Sequence, residues 1–134
     1  MRYVLDTNTC IFAVKQNPHV LARLVALGPG QMALTAITVA ELWFGAAKSQ
    51  TARKTRTLVD AFMEPFVVLD FDTVAAEAYA TVRSDLERKG QPIGERDLLI
   101  ASIALAHGMT VVTNNIREFR RIPTLPVEDW SQPL

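Results

Sequence analysis

The sequence predicts an α/β fold, an α/β/α sandwich built on a mainly parallel sheet of four to five short strands. Two observations predict it. Short apolar runs of β type, at Tyr3-Val4-Leu5, Met32–Thr35, Phe66–Leu69 and Thr110–Thr113, alternate with stretches of helical periodicity. In addition, Leu98 to His107 is almost wholly apolar. A helix without a polar face must be buried, and here it has a sheet to pack on.

The elements follow in order. Tyr3-Val4-Leu5 is a strand that stops at the polar trio Asp6-Thr7-Asn8, and a helix opens near Asn8. Asn17-Pro18 punctuates the chain, and a second helix runs from about Pro18 to Leu27, ended by the turn-forming Gly28-Pro29-Gly30. Met32–Thr35 is the second strand. A helix from Thr38 to Ala47 follows, is interrupted at Lys48-Ser49-Gln50, and gives way to another that reaches about Met63. Phe66–Leu69 is the third strand, and Asp72 to Lys89 is a long amphipathic helix. After the loop Gly90–Gly94 comes the apolar helix, stopped by Gly108 in the manner of a C′ glycine. Thr110–Thr113 is the fourth strand, and Val127 sits in a short fifth. Without repeats or linkers, residues 1–134 read as a single domain.

Bulk properties narrow the function. The apolar fraction is 49%, which excludes a disordered chain, and the charged fraction of 21% is a little below the usual figure of about 25% and hints at a surface covered by a partner. Fourteen basic residues balance fourteen acidic ones, so any nucleic acid must be gripped by local patches. The lone Cys10 reads as a small buried apolar residue, and with only His19 and His107 beside it a Cys/His zinc site is not expected. The N-terminal apolar stretch is too short for a signal peptide, and no apolar run approaches the roughly 20 residues that span a bilayer. A soluble, cytoplasmic protein is expected.

In parallel α/β folds ligands bind beyond the carboxyl ends of the strands. Asp6 follows the first strand, Glu41 falls in the first turn of the helix after the second, and Glu118 follows the fourth; Asp97 opens the buried helix. Each has a structural explanation alone. Asp6 suits an N-cap, Thr38 to Glu41 matches a capping box, Asp97 complements a helix dipole, and Glu118 beside Arg117, Arg120 and Arg121 belongs to a charged surface. Together they form an all-oxygen set. Clustered carboxylates repel unless some stay protonated or a cation joins them, and oxygen donors suit Mg²⁺ or Mn²⁺.

At these residues the chain resembles the PIN-domain nucleases, and within them the VapC toxins of type II toxin–antitoxin pairs. The matching segments are Val4–Asn8, Thr38–Leu42, Pro92–Ala101 and Val112–Asn115 through Glu118-Phe119, in family order; Val127–Trp130 resembles the ending of one VapC subgroup. The chain departs from the pattern at Glu118, where many relatives carry Asp, and at Asn115, where some PIN domains carry an acid. The resemblance implies a single PIN domain over residues 1–134 and a Mg²⁺- or Mn²⁺-dependent endoribonuclease. Asp6, Glu41 and Asp97 would form the primary metal site, helped by Glu118 and supported by Thr7, Asn8, Thr113 and Asn115. A metal-activated water would cut structured RNA, transfer RNA first among the candidates, leaving a 5′-phosphate and a 3′-hydroxyl. Candidate RNA contacts are Lys48, Arg53, Lys54, Arg56, Arg96, Arg117, Arg120 and Arg121, while Trp43 and Phe44 read as core or interface rather than as base-stacking groups. The partners implied are a VapB-type antitoxin in a hetero-oligomer and a second copy in a homodimer built from the helices between Ile11 and Leu27 and between Ala36 and Phe62.

Three rival readings are weaker. A phosphatase with Asp6 as nucleophile wants a second aspartate where Asn8 stands. A metal-independent ribonuclease wants acid–base groups, and neither His19 nor His107 occupies a catalytic position. A binding module that never cuts is argued against by the presence of an acid at all four positions.

Overall fold

Strand β1 (Tyr3–Leu5) lies at the centre of a five-stranded, wholly parallel sheet of order β3-β2-β1-β4-β5 in the computed structural model, which describes residues 1–133. The other strands are β2 (Met32–Thr35), β3 (Val67–Leu69), β4 (Thr110–Val112) and β5 (Val127–Glu128). The first four helices are α1 (Thr7–Val14), α2 (Pro18–Leu27), α3 (Ala36–Ala47) and α4 (Ala52–Met63). They are followed by α5 (Thr73–Arg88), α6 (Glu95–Ala106) and the short α7 (Ile116–Phe119).

Strand side chains alternate between two cores, as a period of two requires. Val4, Ala33 and Val111 face one core, with Leu86 of α5 and Ile100, Ile103 and Ala104 of α6. Tyr3, Leu5, Met32, Leu34 and Val112 face the other, with Cys10, Val20, Leu42, Val59 and Trp130. Cys10 is fully buried. Helix α6 is therefore the buried helix its composition demands, and the molecule is an α/β/α sandwich. Among the described residues no helix is long and apolar enough to cross a membrane.

Several boundaries differ from the sequence reading, for identifiable reasons. Helix α3 begins at Ala36, two residues early, because Thr35 rather than Thr38 is its cap: the Thr35 side chain accepts the Thr38 N–H at 3.2 Å. The capping box is thus overturned, and Glu41 lies in the second turn instead of the first. Thr38 is buried and turns its hydroxyl toward Thr7, 3.1 Å away. Helix α6 starts at Glu95, so Asp97 sits within its first turn. Helix α7, only four residues long, is too short to leave a periodic signature in sequence. Asp6 and Asp72 cap α1 and α5 through their side chains, and Gly108, at φ +64°, follows α6 in the left-handed conformation expected of it.

Candidate active site

From β1 the chain winds outward through β2 and β3, then crosses to the other side of β1 to form β4 and β5. The winding direction reverses between β1 and β4, which makes a crevice beyond their carboxyl ends. Asp6 and Thr113 are the first residues after these two strands. Glu41 reaches the same end from α3, and Asp97 from the first turn of α6. Asp6, Thr7, Glu41, Arg96 and Asp97 all line one open cavity of about 650 Å³.

Asp6 is only 2% exposed. Burial raises its pKa, opposed by hydrogen bonds from Thr113 and from the Thr9 backbone N–H, and the Glu41 charge adds to the rise. Its cap bond from Thr9 measures 2.8 Å, so the capping and site roles coexist in one side chain. Asp97 is pushed up to about 6, first by burial and then by the charge of Asp6, with smaller contributions from Glu118 and Glu41 and an opposing hydrogen bond from Asn115. Asp6 therefore feels the charge of Glu41, and Asp97 feels those of the other three acids.

Neighbours fix the orientation of each acid. Thr7 donates to Glu41 Oε1 at 2.6 Å, and the Arg96 guanidinium stands 3.5 Å from Glu41 Oε2. The Asn115 amide donates to Asp97 Oδ2 at 3.2 Å and to Glu118 Oε2 at 2.9 Å, tying the last acid to the cavity. Asn115 is itself held by a bond from its backbone N–H to the Thr113 hydroxyl, 2.8 Å. Asn8 is exposed on the rim, 3.5 Å from the Asn114 side-chain oxygen. Among the described residues, no three or more Asp, Glu, His or Cys side chains stand close enough together, as placed, to hold a metal ion between them. A hard cation that takes one or two carboxylates and completes its shell with water and phosphate suits this spread donor set.

The candidate cations divide. Lys48 and Arg96 line the cavity. Arg53 and Lys54 are exposed on α4, and Arg117 and Arg120 are exposed at α7. Arg56 is engaged elsewhere: it pairs with Asp60 at 2.9 Å and lies over the Trp43 ring, 4.1 Å from its centroid. Arg121 donates to the Pro92 carbonyl. His107 caps the far end of α6, ten residues from Asp97 and about 15 Å along the axis. Two participants escaped the sequence reading: Thr38 behind Thr7, and Asn114 facing Asn8. Both pairings join residues remote in sequence, and no local pattern announces them.

The PIN domain family matches residues 3–125. The chain is 42% identical over 130 residues to the tRNA(fMet)-specific endonuclease VapC of Salmonella typhimurium, covering 97% of this chain and 98% of that protein. It is 39% identical over 134 residues to Ribonuclease VapC2 of Rickettsia felis, covering 98% and 100%. Among solved structures, a chain of the DNA-bound VapBC from Salmonella typhimurium superposes with a TM-score of 0.92 at 44% identity, covering 97% of this chain and 98% of that one.

Proposed function

The chain belongs to the PIN-domain family, within it to the VapC ribonucleases, and on that premise we propose that Asp6, Glu41, Asp97 and Glu118 are the metal-dependent centre of an endoribonuclease toxin. The observation that carries this reading is the convergence of four acids beyond the ends of β1 and β4, where burial first, and then the charges of Asp6, Glu118 and Glu41, push Asp97 up to about 6. Such repulsion is tolerable in a cytoplasmic enzyme at neutral pH when a divalent cation offsets it. Residues 1–134 are read as one PIN domain.

Asp6, Glu41 and Asp97 would hold Mg²⁺, with Mn²⁺ as a substitute, and Glu118 would assist through Asn115. Bound there, the cation supplies Lewis acidity that activates water for attack and neutralises charge on the phosphoryl oxygens. The chain's own groups do the positioning. Thr7 fixes the rotamer of Glu41, Thr113 and Thr9 fix Asp6, and Asn115 holds Asp97 and Glu118 at a set separation. Arg96 and Lys48 give the groove the positive charge that an acidic centre needs to admit RNA. Attack of water at phosphorus with departure of the 3′ oxygen leaves a 5′-phosphate and a 3′-hydroxyl. By analogy with the Salmonella relative, the substrate is transfer RNA, the initiator species first.

The partner is a VapB-type antitoxin, as in the VapBC complexes to which the chain is similar, and the assembly is a hetero-oligomer built on a toxin homodimer. An antitoxin segment lying across the groove inhibits by excluding RNA.

The test is incubation of the antitoxin-free chain with total bacterial RNA in Mg²⁺, in Mn²⁺ and in EDTA, beside the Asp6→Ala variant. Discrete fragments are expected only with metal and only from the wild type. Equal cleavage in EDTA, or by Asp6→Ala, would refute the assignment; retarded but intact RNA would indicate a binding module.

A further inference from the structure

We propose that Phe44 and Lys48 form a nucleotide subsite in the groove, the Phe44 ring stacking on one RNA base beside the scissile phosphate and Lys48 meeting the phosphate beyond it. The inference rests on the nuclease reading and names how that site holds its substrate. Glu41, Phe44 and Gly45 of α3 and its C-cap residue Lys48 share one side of the helix, Phe44, Gly45 and Lys48 standing three, four and seven residues after Glu41. At 1.5 Å per residue, Phe44 stands about 4.5 Å and Lys48 about 10.5 Å beyond Glu41 along the helix axis. All four residues line the cavity that holds Asp6 and Asp97.

The two aromatics of this helix have different environments. The Trp43 indole donates to Asp60 at 2.8 Å and its ring is covered by Arg56, so it joins α3 to α4. Phe44 is 65% exposed, and among the described residues the cation over its ring is Lys48, 5.1 Å from the centroid. Apart from its chain neighbours and the helix's own backbone, nothing lies within 4 Å of where a Cβ on Gly45 would project, which leaves room on that face of the helix for a flat ligand. An acidic cluster, an exposed aromatic and an ammonium in a line match the repeat of a single strand: a cation-bridged phosphate, a base, then the next phosphate. Aromatic platforms with flanking cations are how single-stranded nucleic acid is gripped without reading its sequence. An apolar peptide side chain would use the ring and leave Lys48 without an anion.

The experiment takes a short RNA spanning the cut mapped on the cleaved transfer RNA, and replaces each nucleotide around that cut, one at a time, by an abasic ribose. Wild type and Phe44→Ala are compared in Mg²⁺. One abasic position is expected to lower wild-type kcat/KM by about 10–100-fold. Phe44→Ala should lose a similar factor on intact RNA and lose nothing further on that abasic RNA. An abasic penalty that persists undiminished in Phe44→Ala overturns the subsite. So does wild-type cleavage by Phe44→Ala combined with weakened antitoxin binding, which would assign the face to the protein partner. A wild-type chain that leaves the intact RNA uncut in Mg²⁺ overturns the nuclease reading itself.

Discussion

Asp97→Asn is expected to abolish RNA cleavage and, at the same time, to raise the melting temperature of the metal-free chain at pH 7. The activity loss follows from removing a ligand charge at the centre: Lewis-acid stabilisation is worth several kcal/mol, or on the order of 10³-fold in rate. The stability gain follows from linkage. Asp97 rises from 3.8 to about 6 on folding, so between those values the folded chain holds a proton that the unfolded chain has lost. Stability therefore falls as pH rises through that window, and the cost persists above it. The amide removes that cost, while its oxygen can still accept from Asn115. Because Asp97 is only partly buried, solvent screening reduces the gain to about 1 kcal/mol, or about 3–5 °C. At pH 4 the two proteins should melt together. Thermal melts at pH 4 and 7 in EDTA, with a cleavage assay, check all three statements; a destabilised variant at pH 7 would mean that Asp97 is a structural residue.

Trp130→Ala is expected to have the largest effect on stability, a loss of about 3–5 kcal/mol and about 10–20 °C. The side chain is 1% exposed. Its ring meets Tyr3 edge to face at a centroid distance of 5.0 Å, with the Arg23 guanidinium 5.7 Å from its centroid, and its Nε1 donates to Glu128 at 3.0 Å. Arg23 completes the clasp with Glu128 at 3.8 Å. This cluster joins α2, the central strand and the terminal segment, and no local helix or turn can restore it. Chemical denaturation measures the loss. Since these contacts are not with the acid cluster, the variant should still cut RNA below its melting point, in contrast to Asp97→Asn.

The architecture was legible because strands and helices here carry distinct periods. The boundaries of α2 were read directly from the Asn17-Pro18 opening and the Gly28 stop. Asp6, Asp97 and Glu118 were legible because each lies close to a strand or helix end, where topology alone brings distant residues together, whereas Glu41, in the middle of α3, was placed a turn too early. What stayed hidden is tertiary. Thr38 and Glu41 imitate a capping box, yet Thr35 caps the helix and Thr7, 34 residues before Glu41, takes the carboxylate. Arg56 and Lys48 look equivalent in a basic stretch, but packing sends one to Asp60 and Trp43 and the other to the cavity. Asn115 reads as a departure from the family pattern, and only geometry presents it as the donor that joins Asp97 to Glu118. The division of labour between Trp43 and Phe44 was equally invisible, since both stand in one apolar helix.

The central claim, that these carboxylates are one metal site, is tested most directly by calorimetric titration of Mn²⁺ and Mg²⁺ into the antitoxin-free chain and its Asp6→Asn variant. The account predicts saturable binding by the wild type, accompanied by a rise in melting temperature because the ion binds only the folded state. It predicts neither in Asp6→Asn. Binding of equal affinity in the variant, or a wild type that takes up no metal at millimolar concentration, would contradict it.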